Sequence, residues 1–134
     1  MIRILTIAAT LSLASCVGTA VPKYNSIAGK PMQPRPLNAC VPANVDTPAH
    51  LNKGSMPVYP VTRVLEGQEG SAQARFTIEE DGTVSDIISE SDSYEYFASH
   101  LKEAIQEWDI SPAILDGEPT TVVCYFSLDY KIRR

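Results

Sequence analysis

Few side chains in this chain could act on a covalent bond. His50 and His100 are its only imidazoles, and Cys16, Cys40 and Cys124 its only thiols. Acid–base or nucleophilic chemistry needs a titrating group positioned beside a second reactive group. His50 lies in a proline-interrupted stretch, and His100 falls off the apolar stripe of a helical run, so each reads as a solvated residue. Glu79, Glu80 and Asp81 bring three carboxylates together just before Gly82, where acidic residues serve turn geometry. They lack the ligand spacing of a calcium loop, and no Cys/His set has the spacing of a zinc site. Neither a glycine-rich phosphate loop nor a Gly-x-Ser-x-Gly elbow occurs. The expectation is that the chain is not an enzyme, with no catalytic residue, metal or cofactor.

The thiols carry chemistry of another kind. Arg3 precedes an apolar run from Ile4 to Leu13, and Leu13-Ala14-Ser15-Cys16 follows, small residues leading into a cysteine. The run is well short of the ~20 apolar residues that a spanning helix needs, and it ends like a cleavage site. Residues 1–15 therefore read as a lipoprotein signal peptide, with ordinary secretion as the alternative. Cleavage before Cys16 would let its thiol take a diacylglycerol, and together with an acylated amino terminus this exceeds the two signals that hold a protein on a membrane. Val17 stands where some bacteria use Asp to retain lipoproteins at the inner membrane, which favours the outer membrane and a periplasm-facing chain. Cys40 and Cys124 then remain as an even pair in an oxidising compartment, where thiols tend to form a disulfide. The other reading is two isolated thiols, with Cys124 a small buried residue of the last strand.

Without residues 1–15 the chain loses Arg3 and keeps 10 basic against 16 acidic residues, a net charge of −6. Lacking a cationic patch, it is repelled by phosphate backbones, and nucleic acid is not an expected partner. The length fits one folded domain, and a domain this small buries only about 60% of its unfolded surface, so a covalent staple matters. Residues 16–55 read as a lipid-anchored tether. Pro22, Pro31, Pro34, Pro36, Pro42 and Pro48 interrupt any helix or ladder there by removing donors. The stretch from Asn38 to His50, with Cys40, is less extreme and could pack on the domain.

Residues 56–134 carry the periodic signals. Pro60 suits the start of a short helix that packs through Val61, Val64 and Leu65 and stops at Gly67. Ala72, Ala74, Phe76 and Ile78 alternate with Gln73, Arg75, Thr77 and Glu79, the period of a half-buried strand. Glu80-Asp81-Gly82 supplies a hairpin turn, and Val84 to Ser89 returns. Val84, Ile87 and Ile88 break strict alternation, which a bulge or an early strand end explains. Asp92 or Ser93 with Glu95 resembles a capping box, and Phe97, Leu101, Ile105 and Trp108 form one helical stripe. Trp108 reads as core, with a binding hot spot as the alternative. Pro112 ends this run, Asp116-Gly117 turns the chain, and Thr121 to Tyr130 forms a last strand with Val122, Cys124, Phe126 and Leu128 on one face. The fold class is α+β, ordered α-β-β-α-β, a three-stranded antiparallel sheet with two helices on one face.

Taken in order, Pro57-Val58-Tyr59-Pro60, Gly67-Gln68-Glu69-Gly70, the alternating strand, Asp81-Gly82-Thr83-Val84, the helix to Trp108, Pro112-Ala113 and the last strand resemble the C-terminal domain of TonB, the energy transducer of Gram-negative envelopes. The resemblance implies partner-binding roles at two places. Pro57, Tyr59 and Pro60 would lie beside a groove for partner peptides, although as plain sequence they read equally well as a lead-in turn with Tyr59 packed on the domain. Val123, Cys124, Tyr125, Phe126, Ser127 and Leu128 would capture an extended segment of a TonB-dependent receptor by strand addition. Two features depart from the family: no long N-terminal helix with a functional histidine is present, and Glu107 and Asp109 flank Trp108 where basic residues are common. A protein that binds receptors without pulling on them fits these departures. A structural envelope lipoprotein is the alternative, with its edge covered by its own tether; pairing of residues 40–55 with the last strand would distinguish the two. A homodimer by strand exchange is also compatible with an open edge.

Overall fold

Strict alternation from Gly70 to Ile78 does what it predicts: Ala72, Ala74, Phe76 and Ile78 are buried while Gln73 and Arg75 face out. This strand is the centre of the computed structural model, which describes residues 29–132; the expected signal peptide and the expected lipid site at Cys16 lie outside them. The elements are β1 (Arg35–Pro36), β2 (Cys40–Val41), β3 (His50–Lys53), α1 (Val61–Leu65), β4 (Gly70–Ile78), β5 (Val84–Ser91), α2 (Glu95–Gln106), β6 (Asp109–Ser111), β7 (Ala113–Leu115), β8 (Glu118–Thr120) and β9 (Val122–Tyr130). The main sheet is antiparallel in the order β2-β9-β4-β5. β4 and β9 pair along their full length, from Gly70 opposite Tyr130 to Ile78 opposite Val122.

The hairpin between β4 and β5 closes with Glu79 N–H on Thr83 O at 2.8 Å and Gly82 N–H on Glu79 O at 2.9 Å. Gly82 sits at φ 86, and a Cβ there would stand 2.4 Å from the carbonyl oxygen of Ile110, so only glycine fits the turn and its seat on β6. The carboxylate of Asp81 accepts from the hydroxyl of Thr83 at 2.6 Å and its amide at 2.9 Å, which holds the carboxyl below its ordinary pKa. The broken alternation of Val84, Ile87 and Ile88 is a bulge: between the pairs Arg75–Ile88 and Thr77–Ser85, β5 carries an extra residue, and Asp86 adopts φ 49.

Both glycines of Gly67-Gln68-Glu69-Gly70 have a physical reason. Gly67, at φ 69, ends α1 while its N–H reaches Val64 O at 3.0 Å and Gln68 N–H reaches Arg63 O at 2.9 Å, the two bonds of a Schellman cap. At Gly70 a Cβ would lie 1.7 Å from Ser93 Oγ, so β4 and the head of α2 approach only because the side chain is absent. The capping box does not form. Tyr94, extended, occupies the N-cap with no side-chain bond, and Asp92 instead accepts from Ser71 N–H at 3.2 Å, tying the loop to β4. That bond also lowers the Asp92 carboxyl pKa. The Asp92 carboxylate is better used there because Ser91 Oγ already meets the amides of Ser93 and Tyr94 at 3.2 and 3.3 Å. Phe97, Leu101 and Ile105 of α2 are completely buried on the sheet, and Val64 of α1 joins the same core. Trp108 is core as well, edge-on to Phe76 and Phe126 with its indole N–H on Ser55 O at 3.0 Å.

The segment expected to be a tether is, from Pro31 to Ser55, part of the fold. β1, β3 and β6 make a second, three-stranded antiparallel sheet, and β2 joins the main one, so the expected three-stranded sheet has four strands. Leu37, Ala49 and Leu51 are buried, Leu51 completely. Burying a leucine stabilises by about 1.5–3 kcal/mol, enough to offset the ordering of one or two residues. Strands of two to four residues between prolines show no period, which is why the segment reads as coil. A third pairing, β7 with β8, turns through Asp116 at φ 53 and Gly117 at φ 79, the two left-handed positions of a type I′ hairpin.

Candidate functional site

The outer edge of β9 is divided in two. Cys40 lies opposite Cys124 and Val41 opposite Val123, and Tyr125 N–H donates to Ala39 O at 2.8 Å. A disulfide joins Cys40 and Cys124, as the pairing of thiols in the sequence led one to expect. Because Tyr125 directs its backbone groups away from β4, every second residue does the same, so Ser127 and Asp129 also point N–H and C=O outward. Among the described residues no backbone hydrogen bond reaches those two outward amides. The edge expected from Val123 to Leu128 is therefore closed by the chain's own β2 at Val123, Cys124 and Tyr125 and open from Phe126 on.

The side chains of this strand split by parity. Cys124 is buried, and Phe126 is half-buried against Trp108 with the Arg35 guanidinium 5.6 Å from its ring centre. Leu128 packs on the core from the same face. Tyr125 and Ser127 project from the other, bare face, where Tyr125 shares a shallow depression with Gln73, Arg75, Ile88 and Glu90.

Pro57 and Tyr59 come to the open end of β9. With Lys30, Met56, Leu128, Asp129, Tyr130 and Lys131 they line a cleft of about 290 Å³. Tyr59 itself is mostly wall: only 6% exposed, it packs edge-on to Phe97 and Tyr130 at 5.7 and 5.3 Å, and its hydroxyl donates to Gln68 O. Tyr130 stacks on Phe97 at 4.2 Å and donates to Phe97 O at 3.2 Å. Burial first, then the nearby Glu69, raises the Tyr59 pKa, and burial first, then Tyr59, raises that of Tyr130, so both stay neutral hydroxyl donors. Pro60 caps α1 and takes no part in the cleft. The sequence reading missed Lys30, Met56, Asp129, Tyr130 and Lys131; only the return of residues 30–32 beside 54–56, through Met32 N–H on Gly54 O and Met56 N–H on Lys30 O, places Lys30 there.

The histidines do not converge with any partner set. His50 Nδ1 meets Asn52 Oδ1 at 3.0 Å, and His100, half-buried on α2 rather than fully solvated, lies 3.5 Å from the exposed Glu103. Among the described residues no group of three metal-ligating side chains occurs, and no helix is long and apolar enough to cross a membrane.

Comparison with known proteins points one way. The family model described as Gram-negative bacterial TonB protein C-terminal matches residues 55–132, more than half of the chain. Among solved structures, the solution NMR structure of the TonB C-terminal domain of Pseudomonas aeruginosa matches with a TM-score of 0.56 and 26% identity, covering 64% of this chain and 88% of that one. No curated protein matches.

Proposed function

The chain belongs to the TonB C-terminal family, and from that premise we propose that it is a periplasm-facing protein-binding module that receives an extended segment of another envelope protein along the open end of β9. The observation that carries this reading is the juxtaposition of the outward backbone groups of Ser127 and Asp129 with the Pro57–Tyr59 cleft. An incoming strand satisfies those groups by main-chain hydrogen bonds, and its alternate side chains drop toward the cleft. Lys30 and Lys131 against one Asp129 leave the cleft rim cationic, which suits an acidic residue in the segment. The partner class is the N-terminal segment of TonB-dependent receptors, or a motor-linked protein of the same envelope. Lipid on Cys16 would hold the module at the membrane, the outer one favoured, and the protein would bind without driving transport alone.

Calorimetry with synthetic receptor N-terminal segments tests the reading. Binding should weaken at least about tenfold in Ser127→Pro, which deletes one outward N–H. Absence of binding to every such segment sinks the proposal. A second reading, a structural envelope lipoprotein without a transducing role, is favoured by the covering of Val123 to Tyr125 by β2. A photocrosslinker at Asp129 in intact cells separates the two: receptor adducts support the first, adducts to other envelope lipoproteins the second. Adducts to a second copy of this chain would reveal a homodimer through the same edge.

A further inference from the structure

The closed half of the β9 edge has a consequence for what can dock on the open half. We propose that β2 is a covalently held edge cap that sets the length and register of the docking site, so that only about five residues of an extended segment pair with the module, at Phe126 to Tyr130. The inference rests on the strand-addition reading for the occupant, but the cap itself stands on geometry in this chain.

Three features make the cap. Ala39 O takes the outward N–H of Tyr125 at 2.8 Å, the pairs Cys40–Cys124 and Val41–Val123 continue the ladder, and the disulfide fastens the cap to the strand it covers. A two-residue strand held by hydrogen bonds alone would exchange readily with a longer incoming strand, because each net bond is worth little against water. The covalent bond removes that exchange. At its other side the cap cannot slide toward Tyr130, since Leu37 N–H is taken by Ala49 O at 2.8 Å and β1 turns away to pair with β3. The chain leaves the edge of β9 at that point, and Ser127 and Asp129 are left with four outward backbone groups. A segment of about five residues satisfies them, and further residues meet the cap.

The occupant is thus an extended segment of about five residues with an acidic group for Lys30 and Lys131. Specificity then comes from register as well as sequence, and a longer strand gains no further main-chain bonds. Opening the cap takes two electrons and two protons: a dithiol gives up its hydrogens, the Cys40–Cys124 bond becomes two thiols, and the dithiol becomes a disulfide.

Amide exchange on the full chain, read by NMR, tests the cap without any ligand. In the oxidised protein Tyr125 should exchange at least about a hundredfold more slowly than Ser127 and Asp129. In Cys40→Ser, or after dithiothreitol, Tyr125 should rise to the rate of Ser127 while Phe126 and Leu128, whose amides bond β4, keep their protection. Continued slow exchange of Tyr125 in both overturns the cap, as does equal fast exchange of Tyr125 and Ser127 in the oxidised protein. The docking length is tested separately with alternating Val/Thr peptides of five and ten residues carrying an N-terminal Glu. Wild type should bind both within about twofold, and Cys40→Ser should bind the longer one at least about tenfold tighter. This comparison needs no variant to fold: a tenfold preference of wild type for the longer peptide overturns the length limit. If neither peptide binds, strand addition fails, and with it the length limit, while the exchange rates still judge the cap.

Discussion

Cutting the Cys40–Cys124 disulfide is the perturbation with the largest calculable effect. The bond spans 84 residues of sequence, nearly the whole described fold. In the chain-entropy model a loop of this size lowers the entropy of the unfolded chain by an amount worth about 4.5 kcal/mol at 25 °C. Cys40→Ser changes little else, because Cys40 is only part-buried and Cys124 remains as a small apolar group in the core. Unfolding in urea should therefore lose about 4.5 kcal/mol of stability, and the midpoint of thermal unfolding should fall by roughly 20–35 °C. Trp108, the only tryptophan, is the natural reporter, since unfolding takes its buried indole from Phe76, Phe126 and the Ser55 carbonyl into water. Wild type in dithiothreitol should superimpose on the variant, and the urea slope should rise as the freed unfolded chain exposes more surface. A loss below about 1 kcal/mol at unchanged slope would refute the reasoning, because it would mean that the unfolded chain is not constrained by the bond.

Further predictions follow from single side chains. Tyr59→Ala should cost about 3–5 kcal/mol and Tyr59→Phe about 1 kcal/mol in chemical denaturation, since the ring is core and the hydroxyl adds one bond to Gln68 O; peptide binding by the Phe variant should stay intact. Gly82→Ala should destabilise by about 1–3 kcal/mol, because a side chain at φ 86 meets the Ile110 carbonyl, and a melting temperature equal to wild type would contradict the packing. Ser89 Oγ is buried with no partner, so Ser89→Ala should be neutral or stabilise by up to about 1 kcal/mol in the same assay. Stability should fall at both ends of the pH scale. Asp81 and Asp92 have folded pKa values below 3.8, so their contribution is present above that pH and lost as pH drops through the folded values. Tyr59 and Tyr130 are raised above 10.0, so their contribution is complete below pH 10 and lost as pH climbs further; Tyr130→Phe should flatten that alkaline limb in melts followed by circular dichroism.

The sequence by itself determined what depends on neighbours along the chain. Period-two alternation specified β4 and most of β9, and the defect at Val84, Ile87 and Ile88 marked the bulge at Asp86. The Phe97, Leu101, Ile105 stripe specified α2, and Asp81-Gly82 and Asp116-Gly117 specified two turns, because each signal lies within a few residues and needs no partner. The ordered landmarks were enough to point to the family. Tertiary structure decided where distant segments meet: that residues 31–55 fold against the domain, that Tyr59 is wall rather than free contact, that Lys30 and Lys131 share a cleft, and that Asp92 ties a loop instead of capping a helix. Above all it decided that the strand carrying Cys40 covers half of the outer edge of β9. Two thiols 84 residues apart can be counted in a sequence, but which strand they join, and which backbone groups that strand then hides, follows only from the register of β2 on β9.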